Sequence, residues 1–96
     1  MPAYVIAIRG ETDAEAYAAY GKKAALARAD HKITPRVRTS EVIALEGEPA
    51  EGIVMLEFPS VDEAKAWFNS PAYQEARKER VGKVDYRFLL VQGLES

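Results

Sequence analysis

An α+β fold of order βαββαβ, with a four-stranded antiparallel sheet carrying both helices on one face, is predicted by this sequence of 96 residues. Three observations carry that prediction. Two helix starts have the Ser/Thr-x-x-Glu pattern of a capping box, at Thr12-Asp13-Ala14-Glu15 and Ser60-Val61-Asp62-Glu63. Four strand-like runs stand before, between and after them, and Gly or Pro punctuates the junctions. With right-handed crossovers this order gives the ferredoxin-like arrangement.

The first strand is read from Tyr4, Ile6 and Ile8 alternating with Val5, Ala7 and Arg9, and Gly10 is expected to end it. Thr12 is then the predicted N-cap, its hydroxyl accepting from the Glu15 amide. Tyr17, Tyr20, Ala24 and Ala27 recur at helical spacing, a core-facing stripe on a helix ending near Arg28 to Asp30. Pro35 blocks further helix, and Arg36 to Glu46 reads as a long, polar edge strand followed by the Gly47-Glu48-Pro49 turn. Ile53 to Phe58 is a continuous apolar run bounded by Gly52 and Pro59, the pattern of a central strand buried on both faces. The second helix places Ala64, Trp67 and Phe68 on one side. Ser70-Pro71 restarts it as cap and first helical residue, after which Tyr73, Ala76 and Arg80 share a face and Gly82 stops the helix. Tyr86 to Val91 forms the last strand.

Composition bounds the function. Length predicts a single domain spanning 1–96, near the lower end for folding without disulfides or metals. There is no cysteine, so thiolate chemistry and disulfides are excluded, and His31, the lone histidine, cannot build a multi-histidine metal site within one chain. Thirteen Lys plus Arg against fifteen Asp plus Glu leave a net charge of -2, which disfavours nucleic acid as a partner. Glu51, Ile53 and Met55 also stand where an RNA-recognition strand would carry its basic residue and stacking aromatics. No apolar run reaches the roughly 20 residues of a membrane span and no secretory signal opens the chain, so a cytoplasmic protein without membrane contact is expected. Gly21-Lys22-Lys23 lacks the glycine spacing of a phosphate loop, and Ser40 or Ser60 with His31 lacks a nucleophile elbow. No cofactor and no metal are expected.

The sheet-forming runs are apolar at both parities, which a solvated antiparallel sheet avoids. With both helices on one face, the other is left bare. Five large side chains buried there would contribute on the order of 10 kcal/mol before the costs of association, enough to favour a twofold homodimer through the sheet face.

Tyr4-Val5-Ile6-Ala7, Thr12-Asp13-Ala14-Glu15-Ala16-Tyr17, Leu45-Glu46-Gly47, and above all Leu56-Glu57-Phe58-Pro59-Ser60 with Ala66-Trp67 and Ser70-Pro71-Ala72-Tyr73-Gln74, form a set that resembles the domain-of-unknown-function family 1330 over nearly the whole chain. The resemblance implies the fold of the dimeric α/β-barrel superfamily, in which cofactor-free monooxygenases, lactone isomerases and haem enzymes also occur. Two places depart from the family pattern: Lys32-Ile33 replaces a glycine pair, and Arg38-Thr39-Ser40 keeps the arginine of an Arg-Gly-Gly while losing its glycines. His31 also sits where relatives more often carry an aromatic.

In such a fold the natural concavity lies between sheet and helices, and His31, Arg38, Trp67 and Tyr73 are the candidate substrate-binding residues. Arg38 suits a carboxylate, Tyr73 a hydrogen bond, and His31 a proton transfer near neutral pH. Core packing of Trp67 and Tyr73, an ion pair for Arg38 and a solvated loop for His31 are the competing readings. Two functions follow: a cofactor-free oxygenase or isomerase acting on a small anionic or aromatic metabolite, or a non-catalytic dimer that binds a metabolite or a partner. No residue is assigned a catalytic role.

Overall fold

Hydrophobic alternation and caps place seven elements in the computed structural model, which describes residues 1–38 and 41–94. They are strand β1 (Ala3–Thr12), helix α1 (Ala14–Ala27), strand β2 (Thr34–Val37), strand β3 (Gly52–Phe58), helices α2 (Val61–Asn69) and α3 (Pro71–Arg80), and strand β4 (Val84–Gln92). The strands form one antiparallel sheet in the order β2-β3-β1-β4, the ferredoxin-like topology with the second helical segment broken in two.

Period two along β1 sorts its side chains. Ala3, Val5 and Ala7 are buried, while Tyr4, Ile6 and Ile8 between them are only half-buried. Val5 pairs with Leu56 and Leu90, and together with Phe58 it packs against Tyr20 and Ala27 of α1, Trp67 of α2 and Tyr73 of α3. That is the core, between the sheet and the helices. On the opposite face Ile6 stands between Met55 and Leu89, and Ile8 between Ile53 and Arg87. Leu89 and Val91 there are 45% and 46% exposed, so the outer face is apolar and open.

The junction of α2 and α3 follows directly from Ser70-Pro71. The Ser70 hydroxyl donates to the Trp67 carbonyl at 2.7 Å and accepts from the Tyr73 amide at 3.2 Å, closing one helix and opening the next. Pro71 occupies the first position of α3, where a missing N–H is no loss. The expected α3 face is buried in full: Tyr73, Ala76 and Arg80. Gly82 follows the helix at φ +82°, the left-handed conformation that glycine adopts without strain.

Three expectations need correction. β1 does not end at Gly10 but continues to Thr12, with a register shift between Arg9 and Thr12. Thr12 is therefore still strand, its hydroxyl donating to the Gly10 carbonyl and accepting from Arg9, and the N-cap passes to Asp13, whose carboxylate accepts from the Ala16 amide at 3.0 Å. The long edge strand over Arg36 to Glu46 is also shorter than expected: β2 covers four residues, and 41–46 have no strand structure. Val37 pairs with Met55, and β3 begins only three residues earlier at Gly52, so the chain beyond has no strand opposite it. Thr39 and Ser40, within the expected strand, lie outside the described residues.

Candidate active-site cleft

The inner face of β1 ends in a charge. After Val5 and Ala7 the next side chain in that register is Arg9, whose guanidinium carbon lies 4.6 Å from the centre of the Tyr17 ring and whose Nη1 donates to the Thr12 hydroxyl at 2.9 Å. Glu51 approaches the same nitrogen only at 3.9 Å. Arg9 thus stands at one end of an open cleft of about 420 Å³ between the sheet and α1. Such a volume falls within the range of small-molecule sites.

Val5, Ala7, Val54 and Leu56 form the sheet wall, and Tyr17, Tyr20 and Ala24 the helix wall. Trp67 of α2 and the rings of Tyr86 and Phe88 from β4 complete the aromatic lining. Arg28, at the C-terminal end of α1, and Arg38, just past β2, join Arg9 in lining it. Three arginines therefore line one cavity, and among the described residues no Asp or Glu lines it. Arg38 and Arg28 are the more exposed part of the wall, whereas Leu56 and Trp67 are buried, so the cationic rim faces solvent and the apolar end lies deep.

A fourth arginine stands behind the aromatic wall. Arg80 is only 6% exposed, and no carboxylate among the described residues pairs with it. Its guanidinium carbon lies 4.5 Å from the ring centre of Phe88, 5.2 Å from Tyr86 and 5.3 Å from Tyr20. Ring quadrupoles of this kind offset part of the cost of burying a cation. Nη2 donates to the Tyr73 hydroxyl at 3.1 Å, and that hydroxyl is 2.9 Å from the Tyr20 hydroxyl.

Burial pushes the Tyr20 hydroxyl well above the ordinary tyrosine range; neighbouring Tyr73 adds to the shift and Arg80 partly opposes it. Tyr86 is raised as well, first by burial and then by its hydrogen bond with Tyr17, 3.2 Å away. At neutral pH both groups keep their protons and act as hydrogen-bond donors or acceptors, not as bases.

Of the residues singled out from sequence, Arg38 and Trp67 line the cleft. Tyr73 is fully buried one layer further in, its ring centre 4.3 Å from that of Trp67 and its hydroxyl held by Tyr20 and Arg80. His31 lies in the turn after α1, with its amide donating to the Arg28 carbonyl at 3.2 Å, and is not part of the lining. Sequence reasoning passed over Arg9, Arg28 and Tyr86, and took Tyr17 and Tyr20 only as core. A signal was present: Arg9 continues the Val5, Ala7 parity and Arg80 the Tyr73, Ala76 stripe, placing cations in core-facing registers. No group of three His, Asp or Glu side chains able to hold a metal occurs among the described residues.

Fold and cleft together define a ferredoxin-like α+β protein with its concavity between sheet and helices. The chain belongs to the family described as Domain of unknown function (DUF1330), which it matches over residues 2–94. It is similar to the RPA0582 protein of unknown function from Rhodopseudomonas palustris, with 25% identity and TM-score 0.77, covering 99% of this chain and 84% of that one. A dimeric protein of unknown function and ferredoxin-like fold from Bacteroides fragilis shares 14% identity at TM-score 0.59, covering 96% of each chain. SnoaB, a cofactor-independent oxygenase from Streptomyces nogalater, shares 9% identity at TM-score 0.59, covering 99% of this chain and 93% of that one; at such identities the likeness concerns the fold. No curated protein matches the sequence.

Proposed function

We propose that this protein is a single-domain homodimer that binds a small anionic, aromatic metabolite in the sheet–helix cleft. The observation that carries the reading is the convergence of Arg9, Arg28 and Arg38 on a cavity walled by aromatic rings and lined by no described carboxylate. Arg28 and Arg38 have no ion-pair partner among the described residues and Arg9 meets Glu51 only at 3.9 Å, so an anionic ligand supplies counter-charge to this rim. The half-buried rings of Tyr17, Tyr86 and Phe88 supply aromatic contact surface for a planar body.

Support for the dimer comes from the open apolar face around Ile6, Met55 and Leu89, and the Bacteroides neighbour is itself described as dimeric. Two such faces pressed together would remove these side chains from water.

A thermal-shift comparison of benzoate with neutral phenol tests the cleft. Benzoate at about 100 times its dissociation constant should add roughly 2.7 kcal/mol of stability, and phenol clearly less at equal concentration. Equal responses, or none, would remove the anion-binding reading.

The Tyr17–Tyr86 hydroxyl pair in the cleft wall favours a second reading, a cofactor-free oxygenase or isomerase. Two hydroxyls 3.2 Å apart can hold an oxyanion developing on a bound ring. Mass spectrometry after incubating a tight ligand with protein in air separates the two: an altered ligand supports catalysis, and quantitative recovery supports binding alone.

A further inference from the structure

The outer sheet face carries its charges at two opposite corners. Across β1, Tyr4 stands between Glu57 and Val91, Ile6 between Met55 and Leu89, and Ile8 between Ile53 and Arg87. Glu57 and Arg87 are the charged members of this patch, and they face each other diagonally with Ile6 midway between them. Glu57 accepts from the Arg36 Nε at 2.8 Å, so its corner reads minus on β3 and plus on β2. Arg87 has no ion-pair partner among the described residues. Next to it on the same face comes Asp85, whose carboxylate lies over Gly10, where an added Cβ would meet it. The β4 corner therefore reads plus, then minus.

A twofold dimer that covers this face turns one sheet over the other about an axis lying between them. An axis parallel to β1 sets Arg87 against the partner's Ile53, and an axis across the strands sets it against the partner's Val91. Either buries a guanidinium against an aliphatic side chain, which is costly. The diagonal through Glu57 and Arg87 lays each on its own copy, like charge on like charge. The other diagonal, through Ile53, Ile6 and Val91, lays Arg87 over the partner's Glu57 and Asp85 toward the partner's Arg36, twice by symmetry. It crosses the strands at about 90°, one of the two angles at which sheets pack. Twist supports the same choice, because right-handed strands raise the Ile53 and Val91 corners of this face toward the partner and turn the Glu57 and Arg87 corners away. Apolar side chains then meet along the axis, and the long charged ones bridge the wider gap at the rim.

We infer that the partner of the outer face is a second copy of this chain crossed at about 90°, with Arg87 of each protomer paired to the partner's Glu57. This rests on the dimer reading and gives it a register.

Because the chain has no cysteine, cross-linking reads that register directly. An equimolar mixture of Arg87→Cys and Glu57→Cys chains, treated with a short bismaleimide at micromolar concentration, should give covalent dimers on a denaturing gel. Each variant alone should not, since its two thiols lie at far corners. Self-cross-linking of either variant, or none in the mixture while the native chain sediments as a dimer, would overturn the inference and leave the dimer standing. Charge reversal tests the pairing: Arg87→Glu and Glu57→Arg should each weaken self-association about tenfold, as two pairs turn repulsive, and mixing them should restore native affinity. A mixture that associates no better than its components would overturn the pairing, and the cross-linking result stands even if Glu57→Arg folds poorly beside Arg36. A native chain found only as protomers would end the dimer reading and this inference together.

Discussion

The hydroxyls of Tyr20 and Tyr73 meet at 2.9 Å across the α1–α3 interface, and Arg80 donates to the same Tyr73 oxygen at 3.1 Å. This link joins the polar ends of three buried side chains from two helices, although the Arg80 Nε remains without a partner. Tyr73→Phe keeps the ring and its packing while stranding the Arg80 donor and the Tyr20 hydroxyl. It should cost about 1–3 kcal/mol in urea unfolding. Tyr17→Phe, at a half-buried pair that water can reach, should cost less than about 1 kcal/mol, and the reverse ranking would show the Tyr20–Tyr73 link to be unimportant.

Alkaline pH should destabilise the protein through the same side chains. Tyr20 and Tyr86 have folded-state ionisations raised above the ordinary tyrosine value by burial. The unfolded chain therefore releases these protons first, binds fewer of them than the native state, and gains on it as pH rises. Stability from this source is intact below about pH 10 and is lost above it, by up to about 1.4 kcal/mol per pH unit for each tyrosine. Chemical denaturation at pH 8, 10 and 11 should show the decline, and Tyr20→Phe should make it shallower.

Ile6 sits at the centre of the outer sheet face between Met55 and Leu89. Ile6→Glu should weaken self-association by at least about 100-fold, roughly 2.8 kcal/mol, because it removes an apolar contact and places a carboxylate in the interface. Sedimentation velocity at micromolar concentration should show dimers for the native chain and protomers for the variant, with unchanged far-ultraviolet circular dichroism. A native chain that sediments only as protomers would end the dimer reading.

Arg38 lines the cleft and has no ion-pair partner among the described residues. Arg38→Ala should reduce benzoate affinity about tenfold, the loss of roughly one charge-assisted hydrogen bond, while leaving phenol binding unaltered. Titration calorimetry reads both. His31→Ala, outside the lining, should change neither.

Two glycines should respond oppositely to alanine. Gly82 at φ +82° holds a conformation that costs an alanine about 1–2 kcal/mol, so Gly82→Ala should lower the melting temperature. Gly21 lies within α1 with nothing within 4 Å of an added Cβ, so Gly21→Ala should stabilise by about 0.5–1 kcal/mol. Thermal melts of both variants check the pair.

Much of the architecture was legible because short-range chemistry dictates it. Ser60 and Ser70 cap as their sequence context demands, and the parity of Val5, Leu56 and Phe58 points them into the core without knowledge of their partners. The Thr12 cap was misread because two residues, Thr12 and Asp13, were equally able to serve, and only the continuation of β1 alongside β4 decided between them. The length of β2 was misread because a strand needs a partner, and where β3 starts is not a property of residues 41–46.

The cleft divides along the same line. Trp67 and Arg38 could be nominated by residue type, but Arg9, Arg28 and Tyr86 come from three separate elements and meet only when the sheet order sets β1 beside β4 and lays α1 across them. Sequence alone determined the order of the elements, the core face and the surplus of apolar residues on the sheet, since caps and periodicity act over a few bonds. Only the tertiary structure decided which arginines gather at one cleft and which buried donors lack a partner, because charge placement and hydrogen-bond satisfaction depend on neighbours distant in the chain.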